Sequence, residues 1–151
     1  MKNLFNLSVI VALGYFITGF FSNALLSIEG YAVASWPPSG IALAALLIAG
    51  RRALIGVFLG ALITNIVHLD SLVGVLHWQV AVQALVVSTA STLQAFVGYW
   101  IIKRVLHTPL DLSDLKLTII SILIAGPAIC VIAAFVGTEM LIFNEIIPSA
   151  G

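Results

Sequence analysis

With 62% of its 151 residues hydrophobic and only 8% charged, the chain has too few charges to clothe a water-facing domain. A mean hydropathy of +1.20 and a formal net charge of zero point to an all-α integral membrane protein and give no footing for nucleic-acid binding. The single cysteine, Cys130, lies in an apolar run and has no partner for an internal disulfide, so a small packing residue is its simplest role.

Charged residues divide the chain into five uncharged windows: Asn3 to Ile28, Gly30 to Gly50, Ala53 to Leu69, Ser71 to Ile102 and Leu117 to Thr138. A helix crossing the hydrocarbon core needs about 20 mostly apolar residues, and each window reaches the roughly 17–25 residue range, the third only just. None alternates in polarity as a membrane β-strand would. The expectation is a single module over residues 1–151, a bundle of about five transmembrane helices. Lys2, Arg51, Arg52, Lys103, Arg104 and Lys116 then all fall on one side. By the positive-inside rule that side is cytoplasmic, with Arg51, Arg52, Lys103 and Arg104 as topology anchors. The N-terminus is therefore expected inside and the end of this chain outside.

Lys2, the first apolar run and "AVA" at Ala32 to Ala34 beyond it resemble a signal peptide with its cleavage site, but the run far exceeds the roughly 7–15 apolar residues of such segments. The second window opens with "WPPSG". Two prolines suit a helix's first turn, and the residue before each is pushed toward extended backbone. From Trp36 to Gly50 a helix covers only about 22 Å at 1.5 Å per residue, short of the roughly 30 Å hydrocarbon core. Two readings stay open for Trp36, Pro37, Pro38 and Ser39. They anchor the helix at the outer interface, or they form a break whose backbone N–H groups face a ligand.

The third window, "ALIGVFLGALITNIVHL", places Gly56, Gly60 and Thr64 on one face, a spacing that lets helices approach closely. Asn65 and His68 share a face near the outer end, where headgroup solvation competes with ligand contact. In the fourth window Gln83 and Gln94, eleven residues apart, return to nearly the same helical face, and buried amides in lipid need partners. Ser88, Ser91, Ala95 and Gly98 form a small-residue packing seam. His107 lies in a short inner loop, and "LDLSDLK" forms an interfacial turn there. The fifth window carries Pro127 as a kink and ends at Glu139, either an interface marker or a functional ionisable group. No phosphate-binding loop, metal-ligand spacing or nucleophile motif is present, so the chain is expected to be neither an enzyme nor a metal or cofactor protein.

The ordered blocks "WPPSGIALAALLIAGRRALIGVFLGALITN", "TLQAFVGYWIIKR" and "PLDLSDLKLTIISILIAGPAICVIAAFVG" resemble the membrane-associated sensor domain family, first type (MASE family), over about Trp36 to Gly137. The resemblance implies a multi-pass input module of the bacterial inner membrane. Such modules precede cytoplasmic histidine kinases, diguanylate cyclases or cyclic-di-GMP phosphodiesterases. The family's later Trp-rich block with a Gly-Asp pair does not occur here, so the module is expected to be incomplete at its C-terminal end. An output domain would then require an odd number of further crossings. The expected partners are the lipid bilayer and an unidentified small molecule or partner membrane protein, and a homodimer is one open arrangement. Trp36, Pro37, Pro38 and Ser39 with Asn65 and His68 would line an outer-leaflet cavity, and Gln83 and Gln94 would lie deeper. Rival readings are a substrate-capture subunit of a transporter and a ligand-free helix-packing module.

Overall fold

The computed structural model describes residues 2–28, 32–33, 36–73 and 78–106, with single positions 116, 119, 131 and 135. The fifth expected helix, Pro127, Cys130, His107 and Glu139 lie in whole or in greater part outside the described residues.

An uninterrupted apolar run with no proline forms α1, Lys2–Leu26. A two-residue antiparallel ladder follows, β1 (Ser27–Ile28) with β2 (Ala32–Val33), pairing Ser27 with Val33 and Ile28 with Ala32. Trp36, at φ −117° and ψ 74°, is held out of the helical region, as a following proline favours. Pro37 and Pro38 then occupy the first turn of α2, Pro37–Ala49, where a missing N–H costs no helical bond. Thirteen residues give α2 about 20 Å. It stops at Gly50, whose φ of +65° is open to glycine at little cost, and the Gly50 N–H donates to the Leu46 carbonyl. A 3₁₀ turn, Gly50–Ala53, carries Arg51 and Arg52 into α3, Leu54–Val73, and α4 spans Trp78–Leu106.

Among the described residues, three helical stretches are long and apolar enough to cross a membrane: Leu4–Leu25, Pro37–His68 and Ala81–Arg104. The second is a hairpin, as its contacts with α1 show. Gly14 faces Ile41 and Gly19 faces Pro38, so α2 runs against α1. Gly56 abuts Ser8 and Val11, Gly60 abuts Ala12 and Tyr15, and Thr64 abuts Gly19, so α3 runs alongside α1 in the same direction. The chain therefore reverses at Gly50–Ala53. Both α1 and α4 pack against α2 and against α3, which closes the four helices into a ring ordered α1, α3, α4, α2.

Alanines interleaved with larger apolar and tyrosine side chains line the centre of the ring. Val11 and Tyr15 of α1, Ala42 and Leu46 of α2, Val57 and Ala61 of α3, and Ala95 and Tyr99 of α4 form one buried cluster with Ala53. The outer faces are apolar instead: Phe5, Ile10, Phe20, Phe21, Ile48 and Trp100 are all exposed. Such a surface suits lipid, because hydrocarbon neighbours replace the water that would otherwise penalise it.

Close approach of α1 and α3 depends on the two glycines. A Cβ at Gly60 would sit 2.7 Å from the Tyr15 Cβ and 2.9 Å from the Ala12 carbonyl oxygen. One at Gly56 would sit 2.7 Å from the Ser8 carbonyl oxygen. By contrast a Cβ at Gly40 meets nothing within 4 Å. Gly60→Ala is expected to destabilise the bundle by about 1–3 kcal/mol through forced separation of the two backbones. Gly40→Ala is expected to be neutral or to stabilise by up to ~1 kcal/mol. Thermal unfolding of the purified protein in detergent, followed by circular dichroism, checks both.

Candidate functional site

The polar residues of the interior converge from three helices. Tyr15, at mid-length of α1, is 1% exposed, and its hydroxyl has the side chains of Trp36 and Ser91 within hydrogen-bonding reach. An indole N–H can only donate, so the Tyr15 oxygen accepts from Trp36 and remains able to donate its own proton. Tyr15 thus links α1 to the start of α2 and to α4. Nearby, the Asn65 Nδ2 donates to the Ala61 carbonyl at 2.8 Å and reaches the Ser88 Oγ at 3.5 Å, joining α3 to α4. Ser88 is fully buried, and its carbonyl accepts from the Thr92 Oγ1 at 2.7 Å. Thr64, also buried, returns its hydroxyl to the Gly60 carbonyl at 2.8 Å. Hydroxyls that bond back one turn leave no unpaired donor in the hydrocarbon.

The remaining site candidates divide. Gln83 and Gln94 are both buried on α4, and His68 is half-buried on α3. Pro38 is buried and Trp36 partly so, whereas Pro37 and Ser39 are exposed. Successive helical residues turn by about 100°, so the inward face of α2 takes Pro38, Ala42 and Leu46 at four-residue steps and turns Pro37 and Ser39 away. Ser39 also spends its donors locally: its N–H and its Oγ both bond the Trp36 carbonyl, at 3.2 and 2.8 Å. The structure therefore does not bring Pro37 or Ser39 to the interior, and the Ser39 N–H is not open to a ligand. Among the packing residues, Ala95 and Gly98 are buried beside fully buried Ser88, while Ser91 is partly buried.

Tyr15 is the contributor that sequence reasoning missed. A tyrosine deep in a long apolar run is itself a signal, since its hydroxyl must find a partner away from water. Among the described residues, no group of three or more His, Cys, Asp or Glu comes together. The interior is a network of neutral hydrogen-bonding groups suited to holding helices in one arrangement or to receiving an uncharged polar group.

The opposite end of the bundle is basic. Arg51, Arg52, Lys103 and Arg104 are exposed there, and three of them stack on rings of α4. Arg51 lies 5.4 Å from the Phe96 ring centroid, Lys103 5.2 Å from that of Tyr99 and Arg104 4.2 Å from that of Trp100.

The family model MASE1, of membrane-associated sensor domains, matches residues 5–151. The chain belongs to the MASE1 family. No curated protein and no solved structure matches it. For this MASE1 chain the family places the polar network and the basic end within a membrane sensor domain.

Tyr15→Phe removes the oxygen that Trp36 and Ser91 share and strands the indole donor. The expected cost is about 1–3 kcal/mol of stability. In a background with Trp78→Phe and Trp100→Phe, the fluorescence maximum of Trp36 is expected to shift with it. Unchanged emission and unchanged unfolding would remove Tyr15 from the network.

Proposed function

We propose that this chain is a multi-pass signal-input module of the bacterial inner membrane, with five spans and its N-terminus and Arg51–Arg52 turn in the cytoplasm. It regulates a cytoplasmic output domain such as a histidine kinase or diguanylate cyclase and performs no catalysis itself. The family match over residues 5–151 carries this reading. The gathering of Arg51, Arg52, Lys103 and Arg104 at one end supports the orientation, since cationic ends are retained on the cytoplasmic face.

The polar network suggests how a signal is registered. Tyr15, Trp36, Asn65, Ser88 and Ser91 bond across α1, α2, α3 and α4, so their partners depend on how the four helices sit. A small polar ligand or a partner membrane protein that competes for these groups binds one packing arrangement better than another. Only such a difference in affinity can shift the population of states. The resulting movement reaches the output domain through the helix ends.

Two measurements test the proposal. With the chain joined through one added transmembrane helix to a cytoplasmic diguanylate cyclase, Trp36→Ala and Asn65→Ala at normal expression are expected to change cyclase output severalfold. Wild-type output from both would dissociate the network from signalling. Independently, a thiol introduced at Ser71 in a Cys130→Ala background is expected to react with a membrane-impermeant reagent from outside. Labelling from the cytoplasm alone would invert the topology.

A further inference from the structure

A second feature lies outside the polar network. An open groove of about 760 Å³ runs between α1 and α3 on the outer side of the bundle. Phe5, Val9 and Leu13 form one wall and Ile55, Leu59 and Ile63 the other, all large, apolar and exposed. Each wall covers eight residue steps, about 12 Å along its helix. That is close to one leaflet, half of the roughly 30 Å hydrocarbon core. The groove also occupies a definite half of the bundle: Phe5 is near the start of α1, and Ile55 is the second residue of α3. Its lower end therefore opens beside the Arg51–Arg52 turn.

Charge at that mouth is positive. Arg52 lies in the 3₁₀ turn that leads directly into α3, three residues ahead of Ile55, and its side chain is exposed. Arg51 uses the face of its guanidinium on Phe96, which leaves in-plane N–H donors to engage an anion. Lys103 and Arg104 lie at the same end.

We infer that the α1–α3 groove and the Arg51–Arg52 turn form a binding site for one anionic phospholipid. Its phosphate pairs with the guanidinium groups, and its acyl chains lie along the six apolar side chains. An apolar groove alone would accept any lipid; the arginines at its mouth select the charged headgroup. A bidentate guanidinium–phosphate pair suits arginine better than lysine.

Native mass spectrometry of the full chain in detergent tests this, with phosphatidylglycerol and phosphatidylcholine of identical acyl chains as probes. Phosphatidylglycerol is expected to be retained preferentially. Loss of each arginine weakens retention about fivefold, so Arg51→Gln with Arg52→Gln is expected to lower it about 25-fold. Leu59→Trp with Val9→Trp, which fills the groove and leaves the turn intact, is expected to reduce binding of both lipids. Soluble glycerol phosphate, lacking acyl chains, is expected not to bind. Equal retention of the two lipids, or undiminished phosphatidylglycerol binding by the double glutamine variant, overturns the site. So does spontaneous disulfide crosslinking of Val9→Cys in a Cys130→Ala background, which would assign the groove to a second copy of the chain.

Discussion

The close approach of α1 and α3 at Gly56 and Gly60 determines how the rest of the molecule is arranged. In hydrocarbon, lipid tails are as apolar as leucine, so helices associate through shape and through hydrogen bonds rather than by expulsion of water. Two glycines one turn apart let Ser8, Ala12 and Tyr15 lie directly on the α3 backbone. That contact sets α3 parallel to α1. With the chain reversed at Gly50, α2 must then run the other way, and α4 closes the ring against both. It also brings Tyr15 to the bundle's interior, where its hydroxyl meets Trp36 and Ser91.

Polar groups in this setting act as locks. Tyr15 and Asn65 both bond between helices, and Thr18, Thr64 and Thr92 return their hydroxyls to carbonyls of their own helix. The first kind reports on how helices sit; the second kind only satisfies itself. A membrane sensor needs the first kind in small number, because each cross-helix bond raises the cost of the alternative packing. The three cation–ring pairs at the other end work differently. They sit at the polar boundary of the bundle, where the charges stay hydrated and the rings shield the helix ends.

Much of this was legible in the sequence because lipid imposes simple rules. The first four uncharged windows marked the four described helices, the WPPSG start marked a short α2, and the four-residue spacing of Gly56 and Gly60 marked a contact face. Eleven residues separate Gln83 from Gln94, close to three helical turns, and both are buried. What the pattern did not supply was the partner of each face. α1 has no GxxxG, and the surface that receives Gly56 and Gly60 is Ser8, Ala12 and Tyr15, whose small-xxx-small step does not stand out in so apolar a run. Contiguity also misled. Trp36, Pro37, Pro38 and Ser39 are neighbours in sequence, yet helical rotation sends Pro38 inward and Pro37 and Ser39 outward. Tyr15 was passed over because one aromatic among many in an apolar run carries no periodic signal.

The brevity of α2 has a mechanical consequence. At about 20 Å it falls short of a hydrocarbon layer of about 30 Å, while α1 and α3 are long enough to cross it. The chain enters this short helix from the β1–β2 ladder, which pairs Ser27 with Val33 and Ile28 with Ala32. Hydrophobic mismatch costs fractions of a kcal/mol per ångström. Thickening of the bilayer therefore widens the mismatch of α2 before that of the longer α1, whereas thinning relieves it.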